Sequence, residues 1–126
     1  MQERVYVADL SLAEPIKKFL AYDPYLDNSK SSEELAALKN DAVANVIFAR
    51  QEYQVRDGAS FDLDRSKVYV YIKANEEFFT LAEKKLKDNV SSIERADEET
   101  ERRVVTSINE EQRRAESGIG SIFGGM

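Results

Sequence analysis

The stretch Lys67-Val68-Tyr69-Val70-Tyr71-Ile72-Lys73 alternates apolar and amphipathic side chains with a period of two. Because a β-strand directs successive side chains to opposite faces, this pattern predicts a strand with a valine-isoleucine face and a tyrosine-lysine face. A shorter version, Arg4-Val5-Tyr6-Val7, opens the chain. We expect the two strands to pair in one small sheet, with helices over the valine face.

Two strands alone would be marginally stable, so the sheet needs a third. The sequence offers residues 59–64 or residues 90–96 as this strand, and a second copy of the chain could also supply it. The Asp57-Gly58 pair before the first of these segments predicts a turn.

Capping patterns mark where the helices begin. Ser11 with Glu14, and Ser31 with Glu34, each form a capping box, in which a hydroxyl and a carboxylate satisfy helical N–H groups. Asn75 is the expected N-cap of another helix. The apolar spacing that follows these residues predicts helices over 12–22, 32–54 and 76–88.

Residues 89–97 allow two interpretations. A third capping box, Ser91 with Glu94, would start the last helix at Ser92. Alternatively, residues 90–96 are a short edge strand and the last helix starts after Asp97. We favour the helical interpretation, because four apolar or small side chains then lie near one helical face: Ile93, Ala96, Thr100 and Val104.

These patterns predict an α+β fold, with a sheet of two to three strands covered by three or four helices in the order β-α-α-β-α-α. A ferredoxin-like variant with an extra strand near residues 90–96 is the alternative. One domain over residues 1–116 is expected, because 126 residues suffice for a single core. Residues 117–126 are expected to be a separate glycine-rich apolar tail, because glycines disfavour helix.

The composition excludes several kinds of chemistry. The chain contains no Cys and no His, so it can form neither disulfides nor the thiolate and imidazole sites of most nucleophilic or zinc enzymes. No cofactor or metal is predicted, and the interpretation favours a non-enzymatic protein. The chain lacks a long apolar segment and a signal-peptide pattern, which predicts a cytoplasmic protein that does not span a membrane.

A tyrosine-lysine face is one candidate site. If the two strands are neighbours, Tyr6, Tyr69 and Tyr71 could form an aromatic platform edged by cations, which are Arg4, Lys67 and Lys73. Single-stranded nucleic acid binds such surfaces, because bases stack on the rings and phosphates meet the cations. The net charge of −6 opposes this alternative. The same face could instead be covered by the C-terminal helix or by a partner.

Carboxylates give a second alternative. Asp57, Asp62 and Asp64 precede the central strand, and Glu76 and Glu77 follow it. Such groups could hold Mg²⁺ or serve a small carboxylate-based enzyme or ligand-binding protein. The more ordinary interpretation is that aspartates make turns and glutamates favour a helix N-terminus.

The C-terminal region carries the strongest signal of an interaction. Its charged helix is expected to end near Glu116 and has a narrow apolar stripe that includes Val105 and Ile108. The large apolar residues of the tail that follows include Ile119, Ile122 and Phe123. The sequence therefore predicts a protein-interaction or assembly module that self-associates as a homo-oligomer or binds another protein. These five residues are its expected contacts.

Overall fold

Residues 67–74 form a central strand, as their alternation predicts. In the computed structural model, which describes residues 1–124 and the side chains of residues 1–117, this strand is β3 (Lys67–Ala74). It pairs along its whole length with β1 (Gln2–Asp9), from Gln2 opposite Ala74 to Asp9 opposite Lys67. The predicted α+β class and the pairing of these two strands are confirmed.

Two further strands complete the sheet. β2 (Glu52–Asp57) pairs with β3, and the two-residue strand β4 (Glu94–Arg95) pairs with β1. All pairings are antiparallel in the order β2-β3-β1-β4, so the sheet has more strands than the predicted two to three. The strands and α-helices run in the order β-α-α-β-β-α-β-α along the chain, so the predicted order β-α-α-β-α-α lacked two strands.

Four helices accompany the sheet: α1 (Ala13–Ala21), α2 (Ser32–Lys39), α3 (Glu76–Asn89) and α4 (Glu98–Gly124). Two predicted caps are confirmed: Ser31 Oγ accepts the Glu34 N–H, and Asn75 Oδ1 accepts the Phe78 N–H. The predicted box at Ser11 is wrong, because α1 begins after a 3₁₀ turn and has no side-chain cap.

The predicted helix over residues 32–54 is wrong beyond Lys39. Asp41 accepts the N–H of Ala44 in a turn, and the Lys85 ammonium donates to the carbonyls of Ala44 and Val46. These bonds hold the backbone in a non-helical path that still buries Val46, Ile47 and Phe48. Burial at Lys85 lowers the pKa of its amine. The chain then enters β2, where backbone bonds to β3 replace helical ones.

The favoured helix start at Ser92 is also wrong. Residues 94 and 95 pair with β1, and α4 begins after Asp97, whose carboxylate accepts the Thr100 N–H at 2.7 Å. Ile93 is fully buried as it enters the strand. The alternative interpretation is confirmed: a short edge strand lies within residues 90–96. α4 also continues past the predicted end near Glu116 to Gly124.

The sheet has a core on each face. On one face, α1 and α3 cover a core that includes Tyr6, Val70 and Phe79. On the other face, α4 covers a smaller core with six buried residues: Val5, Phe61, Tyr69, Tyr71, Val104 and Ile108. The connection between β2 and β3 tightens at Gly58, where any side chain would collide with the carbonyl oxygen of Asp64. None of the described helices is both long enough and apolar enough to cross a membrane.

Candidate interaction surface

The outer edge of β2 is open to another strand. β2 is the last strand in the order β2-β3-β1-β4, whereas β4 covers part of the opposite edge. No backbone hydrogen bond joins the outer side of residues 53–56 to any other described residue. An edge of this kind presents unpaired N–H and C=O groups and can pair with another chain.

The register identifies which backbone groups of β2 point outward. Val5 donates its N–H to Glu101 and accepts from the N–H of Ala96, so its backbone groups point away from β3. Tyr71 lies directly opposite Val5, so its groups point away from β1 and toward Gln54. Because pairs alternate along an antiparallel ladder, Gln54 bonds to β3, whereas Tyr53 and Val55 direct their backbone groups outward.

The side chains of β2 divide between the two sheet faces. Tyr53 and Val55 are half-buried against the core under α1 and α3. Gln54 and Arg56 lie on the α4 face, where the Arg56 guanidinium binds both carboxylate oxygens of Glu111 at 3.0 and 2.8 Å. This bidentate bond raises the pKa of Arg56 and lowers the pKa of Glu111. The ion pair fixes α4 to the edge strand.

Helix α4 crosses its sheet face diagonally, from the β4 side to β2. Near its start, Glu101 accepts the Val5 N–H at 3.0 Å. In its middle, Ile108 is fully buried and Asn109 donates to Glu3 at 3.0 Å. Glu111 then binds Arg56, and Gln112 donates to Glu52 at 3.5 Å. The helix therefore makes its last described hydrogen bonds with the sheet at β2.

Beyond Gln112 the helix has no described hydrogen bond to the sheet. Residues 113–117 are all exposed, and the helical backbone continues to Gly124. At 1.5 Å per residue, this end reaches about 18 Å past Gln112. We call residues 113–124 the overhang of α4. It starts beside the open edge of β2, so both features belong to one surface of the molecule.

The five predicted contact residues have different positions in the structure. Ile108 is fully buried between α4 and the sheet, so its prediction as a contact residue is corrected: it belongs to the domain core. Val105 is half-buried beside it. Val105 and Ile108 both lie on the face of α4 that packs against the sheet. The side chains of Ile119, Ile122 and Phe123 lie outside the described residues.

The predicted aromatic platform does not form. Directly opposite residues of an antiparallel pair share a face, and Tyr6 lies opposite Val70, whereas Tyr69 lies opposite Val7 and Tyr71 opposite Val5. Tyr6 is therefore on the α1 and α3 face. Tyr69 and Tyr71 are 5% and 1% exposed beneath α4, so neither ring is available for stacking on a base.

Hydrogen bonds within the chain occupy the polar ends of two of these rings. The hydroxyl of Tyr71 donates to Glu3 at 2.5 Å, and that of Tyr6 donates to Glu83 at 2.8 Å. Burial, followed by the neighbouring carboxylate, raises the pKa of both phenols. Both tyrosines serve the fold as apolar side chains with satisfied hydroxyls.

The cations predicted to edge the platform are also dispersed. Arg4 binds Glu83 at 2.8 Å and lies over the ring of Phe79, on the α1 and α3 face. Lys67, near the end of β3, binds Asp9 at 2.8 Å. Lys73 lies near the other end of β3, half-buried and opposite Glu3 and Glu52. These residues do not form one basic surface.

The predicted carboxylates lie at opposite ends of β3. Asp64 accepts bonds from Ser66 in the turn before the strand, and Asp62 is 3.7 Å from Arg103. Glu76 begins α3 after the strand, which spans about 23 Å at 3.3 Å per residue. Among the described residues, no group of three or more carboxylates could hold a metal ion.

A shallow groove of about 810 Å³ lies between the 39–51 segment and the start of α3. Its principal polar groups are already paired: Arg50 binds Asp23 at 3.0 Å, and Tyr25 donates to Asn45 at 2.6 Å. Throughout the described part of the chain, every buried side-chain polar atom has a hydrogen-bond partner. The groove therefore contains no buried polar side-chain atom that lacks a partner, and Lys39, Gln51 and Glu77 line it as residues open to solvent or half-buried.

Comparisons of the chain with protein-family models, with curated proteins and with solved structures give no significant match. The edge strand β2 was not predicted from the sequence. Its signal is the alternation in Glu52-Tyr53-Gln54-Val55-Arg56-Asp57, which the helical spacing of Tyr53 obscured.

Proposed function

We propose that this chain is a non-enzymatic interaction module that self-associates, with the overhang of α4 and the following residues as its principal contact element. One observation supports the proposal most directly: α4 continues past its last described hydrogen bond with the sheet and ends in a segment rich in large apolar residues. These include Ile119, Ile122 and Phe123. Removing apolar surface from water contributes about 25 cal/mol per Å², so a complex in which a second chain buries these residues is stabilised.

The charge distribution favours a protein as the partner over a polyanion that would bind by charge attraction alone. The chain carries a net charge of −6, which disfavours nucleic acid and anionic membranes as partners. The buried tyrosines and the dispersed cations give no stacking surface. The absence of His and Cys also leaves few groups for nucleophilic or acid-base chemistry near neutral pH.

Truncation after Glu116 tests the proposal. We expect light scattering behind a sizing column to give a dimer or larger species for the full chain and a monomer for the truncated one. The shortened chain should still fold, because it keeps Ile108 and the Glu111 pair with Arg56.

Matching melting temperatures at one low protein concentration would show that the truncated chain is folded. Monomeric mass for both chains across the accessible concentration range would contradict self-association. The same oligomeric mass for both chains would contradict the role of the C-terminal segment.

A further inference from the structure

We infer that the partner at the β2 edge is a second copy of this chain, paired antiparallel with β2 about a twofold axis through Gln54. The inference rests on the proposed self-association and specifies its contact. In this arrangement, Tyr53 lies opposite Val55 of the second copy. Glu52 lies opposite Arg56 of the second copy.

The backbone geometry of β2 permits this register. Tyr53 and Val55 direct their N–H and C=O groups outward, so each can exchange both hydrogen bonds with the other in the second copy. The backbone groups of Gln54 bond to β3. Gln54 therefore lies opposite Gln54 of the second copy without a backbone hydrogen bond between them. A shift of the register by one residue would set residues whose backbone groups point outward opposite residues whose groups point toward β3, and the hydrogen bonds between the two copies would be lost.

The side chains distinguish this register from its neighbours. An axis through Gln54 places the exposed Glu52 opposite Arg56, twice by symmetry. The Arg56 guanidinium also binds Glu111 and Gln54 of its own chain, so Glu52 of the second copy would join an existing charged cluster. It also places Tyr53 beside Val55, and aromatic side chains pair well with β-branched ones across strands. Axes through Tyr53 or Val55 preserve the backbone bonds but set no acid opposite a base.

The overhang of α4 extends the same contact. A strand pair of this length falls short of the roughly 1,200 Å² that specific interfaces bury. A twofold axis perpendicular to the sheet keeps both α4 helices on the same face of one continuous sheet. Because each helix makes its last described bonds at β2, both overhangs begin beside the junction, where they can add buried area.

The absence of cysteine from the chain permits a direct test of the register. In the inferred dimer, the two copies of residue 54 form a pair without hydrogen bonds, with Cα atoms about 4.5 Å apart. This lies within the span that a disulfide bridges. Gln54→Cys should therefore form a covalent dimer under mild oxidation. Glu52→Cys, on the same strand face, should not, because its symmetry mate lies four residues away along the partner strand.

Val55→Pro tests the backbone bonds in the full chain. The proline removes an outward N–H and leaves the ladder with β3 intact, since proline is tolerated on edge strands with that orientation. We expect a monomer by light scattering, or association weakened about 10- to 100-fold for two lost backbone bonds. Thermal melting checks that the variant is folded.

The outcomes separate this inference from the proposed function. Two results together would overturn the β2 contact and leave self-association standing. The Val55→Pro variant would dimerise as well as the original chain, and the Gln54→Cys variant would cross-link no faster than the Glu52→Cys variant. An unmodified chain that is monomeric at all concentrations would overturn both. Selective cross-linking of Gln54→Cys supports the register even if the proline variant fails to fold.

Discussion

Replacing Phe79 with alanine is expected to lower the free energy of unfolding by about 3–5 kcal/mol. The ring is 1% exposed in the core under α1 and α3, where it packs edge-on to Phe78 with ring centroids 5.8 Å apart. The Arg4 guanidinium lies 4.6 Å from its centroid. Truncation removes buried apolar area, leaves a cavity and deprives Arg4 of its aromatic neighbour. Urea denaturation at one fixed protein concentration measures the change.

Thr80→Ala is the matched control, because Thr80 is the next residue of the same helix and is exposed. We expect its free energy of unfolding to stay within about 0.5 kcal/mol of the original chain. A loss below about 1 kcal/mol for Phe79→Ala would mean that α3 does not pack on the sheet as described.

Replacing Ile108 with alanine is expected to lower the free energy of unfolding by about 2–5 kcal/mol. Its side chain is fully buried between α4 and the sheet, in the core that contains Tyr71 and Val104. The variant therefore tests whether α4 is part of the domain. Because the side chain faces the sheet, we expect the folded variant to keep the oligomeric mass of the original chain.

Thr106→Ala provides the comparison on α4, because Thr106 is exposed and lies near Ile108. Its effect should stay within about 0.5 kcal/mol. If Ile108→Ala leaves stability unchanged and abolishes association, then Ile108 is a contact residue and α4 is detached from the sheet.

The elements that the sequence predicted well are those whose local signals agree. β3 alternates over seven residues, and α3 combines an Asn75 cap with inward residues at helical spacing. Propensity, capping and periodicity point to the same structure in both segments. Their type could therefore be predicted without knowledge of the rest of the chain.

The error over residues 40–54 arose because one pattern fits two structures. Val46 is buried, as a helical stripe would require, and Tyr53 is half-buried. A tertiary contact decides between the structures: Lys85, far along the chain, binds the carbonyls of Ala44 and Val46. The local sequence does not predict that bond. The alternation over residues 52–57 is short, and the helical spacing of the preceding apolar residues outweighed it, so β2 was not predicted.

Strand register explains most of what could not be predicted about the candidate sites. Arg4-Val5-Tyr6-Val7 and Lys67-Val68-Tyr69-Val70 look alike, yet Tyr6 lies opposite Val70 and not opposite Tyr69. A shift by one residue exchanges the two faces of a strand. The similarity of the two stretches therefore suggested one tyrosine face, whereas the structure places the rings on both.

The measurement that tests the central claim most directly is amide hydrogen exchange by NMR at Val55, in the full chain at low and high concentration. Pairing of β2 across a twofold axis predicts that exchange at Val55 slows as concentration rises and the dimer forms. The Gln54 amide, already bonded to β3, should be protected throughout and provides the internal control. Rapid exchange at Val55 at every concentration, with Gln54 protected, would contradict the account.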